Sequence, residues 1–263
     1  MDVLTGHDYR SIRVSTDAGI CTVRLHRPEA GNTITAELVA ECTRAVHAAT
    51  GRAKVLVIEG TPEVFCLGAD FTELGSGTAT TGPGTSHAEA LYDLWRAIAQ
   101  GPFVSVAHVR GKVNAGGVGF VAACDVVISD DRATFGLSEL LFGLIPACVL
   151  PFLIRRIGAA KANYLSVMTQ PVTAQQALDW QLVDVCGPDS GTLLRRHLRR
   201  LRCLPATGIA RYKTYLRELD DSLGAARPAA VAANHAVFSD PANLAGIDRY
   251  VRTGRLPWEE ESA

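Results

Sequence analysis

Hydrophobic and polar positions in the front half of the chain follow two periods, one of strands and one of helices. Short apolar runs predict strands over 12–15, 20–25, 55–58, 104–108 and 126–129. Helical spacing predicts helices over 35–49, with Thr35 as a candidate N-cap, and over 87–100. The first two strands flank Asp17-Ala-Gly, which indicates a hairpin. Strands that alternate with helices predict an α/β fold with βα crossover units.

The pattern changes after Pro146, where only helical spacing continues. Seven segments predict helices: 150–157, 159–168, 174–180, 192–204, 208–219, 227–238 and 244–251. We therefore expect a sheet-based core that is followed by a purely helical appendage.

The stretch 103–146 holds the candidate chemistry. After the strand at 104–108, a Gly-marked turn at 114–117 opens a helix of small residues over 118–124. Paired glycines let another group approach the backbone, and the first N–H groups of a helix have no intrahelical partner. This turn is therefore a candidate site for an anionic oxygen.

A single carboxylate, Glu139, follows the next two apolar strands. It lies in an apolar run that ends Leu-Leu-Phe-Gly-Leu-Ile-Pro146. A carboxyl group that faces a hydrocarbon pocket is suited to taking up and returning a proton. We therefore predict that Glu139 shuttles a proton.

Composition narrows the class of protein. With 263 residues, of which 48% are hydrophobic, the chain can bury one substantial core. A net charge of −1 argues against an obligate nucleic-acid binder, and neither a signal segment nor a membrane span is evident, so we expect a soluble, cytoplasmic protein. The seven scattered cysteines form no C-x-x-C pair, which favours reduced thiols and no metal site.

Two further segments suggest contacts with ligands or partners. Residues 75–86 are rich in Gly, Ser and Thr, so we expect a mobile lid or entrance there. On the helix over 192–204, four arginines (195, 196, 199 and 200) lie opposite three leucines (194, 198 and 201). This stripe is interpreted as a solvated face, a docking site for an acidic carrier protein, or an RNA-binding patch.

Three segments in order resemble the crotonase (enoyl-CoA hydratase/isomerase) superfamily: Phe65-Cys-Leu-Gly-Ala-Asp70, Asn114-Ala-Gly-Gly-Val-Gly-Phe-Val-Ala-Ala-Cys-Asp125 and Phe135-Gly-Leu-Ser-Glu139. The resemblance implies an α/β fold with a ββα spiral core over 1–190. It implies a C-terminal helical region over 191–263 that builds homotrimers, usually paired into hexamers. It also places the family's oxyanion hole, two backbone N–H groups that hold a thioester carbonyl, at Ala69 and Gly116.

Departures from the family pattern narrow the implied reaction. Hydratases of this family have a water-handling glutamate at the position of Gly119, whereas the glutamate that exchanges the C2 proton is retained as Glu139. The run Ser138 to Gly158 resembles the dehydratases of polyketide β-branching cassettes, which act on 3-hydroxy-3-methylglutaryl groups held on an acyl carrier protein. The cassette's decarboxylases are less similar, because they lack a glutamate at the position of Glu139.

The resemblance implies a hydro-lyase that needs no cofactor, since its substrate is a phosphopantetheine or coenzyme A thioester. Glu139 would be the base that removes the C2 proton. The proton for the departing hydroxyl would come from Glu139 itself, Asp70, His235 or a tyrosine, and Cys148 is a candidate pocket residue. Asp70 also has a structural interpretation, because it can cap the helix that follows.

Two other functions remain open from the sequence. An isomerase that moves the double bond of a 3-enoyl thioester also works with one glutamate at the position of Glu139. A protein of another class would bind RNA or a protein partner and keep only a vestigial site.

Overall fold

The computed structural model describes residues 8–72, 86–257 and 259. Its larger sheet has six strands in the order β1 (Ile12–Asp17), β2 (Ile20–Leu25), β3 (Val55–Glu59), β5 (Val104–Val109), β7 (Val126–Asp130) and β10 (Val185–Gly187). The hairpin of β1 and β2 is antiparallel, as the sequence predicted, and the other neighbours pair in parallel.

A smaller sheet holds β4 (Val64–Cys66), β6 (Lys112–Asn114), β8 (Thr134–Gly136) and β9 (Val172–Thr173). The first three of these strands are parallel, and β9 pairs antiparallel with β8. Along the chain, β3 and β4, then β5 and β6, then β7 and β8 each give one strand to the larger and one to the smaller sheet. This repeated step forms the ββα spiral that the sequence predicted.

The helices lie around these sheets: α1 (Ala36–Ala49), α2 (His87–Gln100), α3 (Gly116–Ala123), α4 (Leu150–Met168), α5 (Ala174–Asp179), α6 (Ser190–Arg202), α7 (Ala206–Leu219), α8 (Ser222–Phe238) and α9 (Pro241–Thr253). The Thr35 hydroxyl caps α1 by accepting a hydrogen bond from the Leu38 amide. Within α4, Gly158 has a φ of 77°, so this helix has two halves that meet at a kink, as the sequence predicted.

Two apolar clusters fill the spaces between helices and strands. The larger cluster joins α1, α2, α3 and α4 to the inner face of the larger sheet. The smaller cluster lies on the opposite face, where Leu194, Leu198 and Leu201 of α6 pack against Val57, Val106 and other strand residues. The arginine stripe of α6 is therefore exposed to solvent, in the layout that the sequence predicted.

The prediction that only helices follow Pro146 is wrong. Two short strands, β9 and β10, interrupt the helices, and β10 extends the larger sheet beside β7. Each has three residues or fewer, and β10 contains Gly187, so neither gives a clear apolar run. Their pairing is specified by tertiary contacts with strands that are distant in sequence.

Two further expectations, the mobile lid and the absence of a membrane span, can be compared only with the described residues. Most of the predicted lid lies outside them, and its last residue, Ser86, caps α2 through a capping box with Glu89. No helix within 8–72, 86–257 and 259 is both long and apolar enough to cross a membrane.

Candidate active site

The candidate site lies where the three parallel strands of the smaller sheet end. Because β4, β6 and β8 are neighbours and point the same way, the segments that follow them meet at one edge. These segments are residues 67–70, 115–117 and 137–139. They are the three motifs on which the family resemblance rests.

The first two segments contact each other through small residues. A Cβ atom on Gly68, which has a φ of +94°, would lie 2.6 Å from the Ala115 Cβ and 3.3 Å from the Gly116 nitrogen. Ala115 itself has a φ of 49°, a conformation that non-glycine residues adopt only under strain. The close approach of the two backbones thus requires glycine at position 68.

The family resemblance predicted the backbone amides of Ala69 and Gly116 as the two oxyanion donors. The neighbouring amides of Leu67 and Asp70 donate to the carbonyls of Gly31 and Ile34. No backbone acceptor for the Ala69 amide occurs within the described ranges. Gly116 is the first residue of α3, so its N–H has no intrahelical acceptor. Both amides are therefore available to a ligand oxygen.

Glu139 follows the third strand and begins a short 3₁₀ helix over Glu139–Phe142. Asn114, at the end of β6, donates a hydrogen bond from Nδ2 to the Ser138 hydroxyl at 2.8 Å. This bond ties the segment that carries Glu139 to the segment that carries Gly116. The sequence predicted Asn114 only as a turn residue, because the bond joins residues 24 positions apart.

The Glu139 carboxyl group has little polar support. Its Oε2 atom is buried and has no hydrogen-bond partner among the residues that the structure describes. Burial raises the pKa of Glu139 to about 7, although backbone hydrogen bonds at Glu139 and Ser138 act in the opposite direction. A carboxyl group with this pKa can both accept and return a proton near neutral pH.

A cavity of about 950 Å³ joins Glu139 to the two amides. Its wall is largely hydrocarbon, with Ile34, Leu91, Trp95, Phe142, Leu144 and Val149 among the lining residues. A cavity of this size and polarity suits an acyl chain whose thioester carbonyl reaches the amides. It does not contain a second glutamate at position 119, which is glycine.

Asp70 lies on the cavity wall but is held by other residues. Its Oδ2 accepts hydrogen bonds from Arg27 at 3.1 Å and Thr33 at 2.9 Å, while Oδ1 accepts from the Thr72 amide and hydroxyl. Burial alone would raise the pKa of Asp70, but the bonds from Thr72, Thr33 and Arg27 outweigh it and lower that pKa. This geometry is better suited to a fixed anion, which positions the loop, than to a proton donor.

His235 and Cys148 also line the cavity. His235 is an exposed residue of α8, whereas Cys148 is buried and its Sγ lies 3.9 Å from the Ala230 carbonyl oxygen. Burial raises the pKa of Cys148 to about 12, so this thiol stays protonated at neutral pH. Across the described part of the chain, no group of three or more His, Cys, Asp or Glu residues could hold a metal ion.

The sequence did not place Trp95 in this wall. The helical spacing over 87–100 indicates only an apolar helix face, but Trp95 lines the cavity and its ring lies beside Gly119. A contact between α2 and α3 has no local signal, because helical periodicity shows only that Trp95 is buried.

Comparison with known proteins identifies the family. The model of the enoyl-CoA hydratase/isomerase family matches residues 15–261. The chain is 50% identical over 262 residues to the bacillaene synthase dehydratase PksH of Bacillus subtilis, which covers 99% of this chain and 100% of that protein. It is also 33% identical over 168 residues to the mevalonyl-coenzyme A hydratase of Aspergillus fumigatus, which covers 63% of this chain and 62% of that protein.

The fold agrees with a solved structure over nearly its whole length. The crystal structure of a Bacillus subtilis protein described as a polyketide biosynthesis enoyl-CoA hydratase superposes with a TM-score of 0.90 at 50% identity. The superposition covers 94% of this chain and 99% of that one. The chain belongs to the enoyl-CoA hydratase/isomerase family, the crotonase superfamily.

Proposed function

We propose that the protein is a hydro-lyase of polyketide β-branching, which removes water from a 3-hydroxy-3-methylglutaryl thioester and releases the 3-methylglutaconyl thioester. One observation carries the proposal. The Glu139 carboxyl group, whose Oε2 has no partner among the described residues, lies in a largely apolar cavity with the backbone amides of Ala69 and Gly116, and position 119 is glycine rather than a second glutamate.

The first half of the reaction uses the two amides and Glu139. The Glu139 carboxylate takes the C2 proton, and the electron pair that this leaves is delocalised onto the thioester oxygen. The amides of Ala69 and Gly116 donate hydrogen bonds to that oxygen as its negative charge develops. Removing one such donor lowers turnover roughly 10²- to 10³-fold in well-studied enzymes, so the pair accounts for a large part of the catalysis.

The second half of the reaction breaks the C3–O bond. The enolate pair forms the C2=C3 double bond, and the hydroxyl leaves with the electrons of the broken bond. The protonated Glu139 then returns its proton to that oxygen, which departs as water, so both steps take place on one face of the substrate. The pKa of about 7 suits Glu139 to both roles.

The similar proteins support this choice of substrate. The relative that is 50% identical over the full length is named as a dehydratase of bacillaene synthase, a polyketide assembly line. Another relative is named for mevalonyl-coenzyme A, whose acyl group also carries a hydroxyl and a methyl group on C3. We propose that this chain acts on an acyl group that stays attached to a carrier protein, as an enzyme of a polyketide assembly line does.

We also propose that the protein is a homotrimer, alone or paired into a hexamer. Helix α7, in the C-terminal helical region, exposes four apolar side chains, of which between 40% and 63% is accessible: Tyr212, Tyr215, Leu216 and Leu219. Contiguous exposed aromatic and aliphatic side chains are typical of surfaces that bind another protein. Light scattering of the purified protein would test this assembly.

One experiment separates the candidate reactions. The purified protein is incubated with a 3-hydroxy-3-methylglutaryl carrier protein, with crotonyl-coenzyme A and with a 3-enoyl thioester at equal concentration. We expect the first substrate to lose one water by mass, and crotonyl-coenzyme A to be hydrated very slowly. Reaction of the 3-enoyl thioester alone would replace the proposal with an isomerase, and no reaction of any substrate would favour a binding protein.

A further inference from the structure

The indole ring of Trp95 fills the space beside Gly119. A Cβ atom on Gly119 would lie 2.5 Å from Cη2 and Cζ2 of Trp95 and 2.7 Å from Cε2. These distances are too short for any side chain at position 119 unless the ring moves. The tryptophan therefore stands where the second glutamate of a hydratase would begin.

The ring is held firmly in this place. Trp95 is only 1% exposed, and its ring packs edge to face against Phe120 of α3 and Phe152 of α4, with both ring centroids 5.8 Å away. Edge-to-face contacts of this kind fix the orientation of a buried ring. The indole N–H group is thus held in a fixed orientation.

The Trp95 N–H group has no acceptor in the described part of the chain. Its nitrogen, Nε1, is buried and makes no hydrogen bond there. It is bonded to Cε2, which lies 2.7 Å from the position that a Cβ atom of Gly119 would take, and Trp95 is one of the residues that line the cavity. A buried indole N–H is normally paired, because leaving it without an acceptor costs free energy. An unpaired donor on a cavity wall indicates that a ligand supplies the acceptor.

Among the described residues that line the cavity, two side-chain atoms on different elements, Glu139 Oε2 and Trp95 Nε1, are thus buried without a hydrogen-bond partner. Glu139 Oε2 can accept a proton, and Trp95 Nε1 can donate a hydrogen bond. A 3-hydroxyacyl thioester offers the matching groups on adjacent carbons, an acidic C2–H and a C3 hydroxyl oxygen.

We propose that Trp95 donates a hydrogen bond to the C3 hydroxyl oxygen of the substrate and stabilises that oxygen as it leaves. This inference rests on the proposed dehydration. The C2 proton moves to Glu139, the C2–H electron pair forms the double bond, the C3–O bond breaks, and the oxygen takes the proton from Glu139 to leave as water. Trp95 keeps its proton throughout, because the indole N–H only donates hydrogen bonds.

The test separates C3–O cleavage from C2 proton removal. A Trp95→Phe variant is assayed for dehydration of the 3-hydroxy-3-methylglutaryl carrier protein. It is also assayed for deuterium exchange at C2 of a 3-methylglutaryl carrier protein, which has no C3 hydroxyl. We expect kcat for dehydration to fall roughly 10- to 100-fold, the range for one lost hydrogen bond, while exchange changes less than about threefold.

Two controls exclude loss of packing as the cause. In Trp180→Phe, an indole is removed from a residue that packs against Tyr164 away from the cavity, so both reactions should stay near wild type. Site-specific replacement of Trp95 by benzothienylalanine keeps the bicyclic ring but lacks the N–H. This variant should reproduce the selective loss of dehydration even if the phenylalanine variant folds poorly.

Two outcomes would overturn the proposal. Wild-type dehydration in the benzothienylalanine variant would mean that the N–H does not contact the leaving oxygen. An equal fall in dehydration and in exchange would mean that the ring only shapes the cavity. The wild-type protein provides the separate test of the proposed function, because C2 exchange without any dehydration would refute the dehydratase itself.

Discussion

Two glutamates of this fold, Glu139 and Glu59, have carboxyl groups in opposite electrostatic environments. Glu59 ends β3 in the larger sheet, where it accepts a hydrogen bond from Arg24 at 2.7 Å and lies 3.1 Å from His108 Nδ1. Burial alone would raise the pKa of Glu59, but the bonds from His108 and Arg24 and the charges of Arg24 and Arg110 lower it to about 2. At Glu139, burial dominates and raises the pKa to about 7.

The contrast shows how a carboxylate with a structural role differs from one prepared for chemistry. His108 Nε2 also lies 3.1 Å from the Ser190 hydroxyl, so Ser190, His108 and Glu59 have the spacing of a catalytic triad. All three are buried, and none lines the described cavities. The partners of Glu59 compensate its charge, whereas Glu139 Oε2 has no partner among the described residues and Glu139 lines the cavity, where we propose that a substrate supplies one.

The largest expected difference between the two glutamates is in turnover. Glu139→Gln keeps the size of the side chain but removes its basicity, so kcat for dehydration should fall by roughly 10²- to 10⁴-fold. Glu59→Gln, measured at a temperature where it is folded, should stay within a few-fold of wild type. Steady-state kinetics of both variants on one substrate would check this. Near-normal turnover of Glu139→Gln would refute its assignment as the base.

The next largest effect concerns the Gly116 amide, which lines the same cavity as Glu139. Gly116→Val places a side chain 2.8 Å from the mobile end of Ile34, so the fold should tolerate it while substrate is kept from the amide. Turnover should fall by roughly 10²-fold or more, the range for losing one oxyanion donor.

Gly191→Val is the matched control for this change. Gly191 also lies in the first turn of a helix, but its nearest side-chain atoms are 3.5 Å away and it does not line the cavity. Circular dichroism melts of both variants should stay close to wild type. Full activity in Gly116→Val would place the oxyanion site elsewhere.

A third prediction concerns the stability of the larger sheet. Glu59→Gln leaves Arg24 and His108 without their anionic partner, and removing one member of a partly buried hydrogen-bonded network costs up to about 3 kcal/mol. The melting temperature at neutral pH should therefore fall by several degrees. A Glu63→Gln variant, which changes a glutamate in the loop before β4 to the same residue type, should melt as the wild type does. Equal melting of the wild type and Glu59→Gln would show that the network contributes no net stability.

The sequence indicated the candidate site residues better than the elements that carry them. Ala69, Gly116 and Glu139 each lie in a local motif, and the structure places all three around one cavity. The strands β4 and β6 that position them have three residues each, too few for a periodic signal. Their pairing depends on contacts across many residues of chain, which local patterns do not specify.

The sequence also did not predict the contacts of each side chain. Asp70 was named as a candidate acid, and only the structure shows the Arg27, Thr33 and Thr72 contacts that favour its ionised form. Glycine at position 119 indicates that a carboxylate is missing. It cannot indicate that the Trp95 ring fills the space, because that contact joins two helices distant in sequence.

The smallest effect is on stability as a function of pH, and the two glutamates should respond with opposite signs. The folded pKa of Glu139, about 7, lies above the ordinary value of 4.5, so the fold opposes its ionisation. The contribution of Glu139 to the stability of the wild type should therefore be most favourable below pH 4.5 and should be lost as pH rises through 7, by at most about 3 kcal/mol. Glu139→Gln cannot ionise, so it should melt at the same temperature as the wild type at pH 4.5 and at a higher one at pH 8.

Glu59→Gln should show the reverse dependence. The folded pKa of Glu59, about 2, lies below its ordinary value of 4.5, so its contribution is complete above pH 4.5 and is lost as pH falls through 2. The deficit of this variant should therefore be constant from pH 5 to 8 and should shrink in acid. Melting temperatures of the wild type and both variants at pH 3, 5 and 8 would measure the two slopes. If the stability gain of Glu139→Gln does not grow between pH 5 and 8, Glu139 is ionised at no cost in the folded protein. The inferred electrostatic contrast between Glu139 and Glu59 would then be wrong.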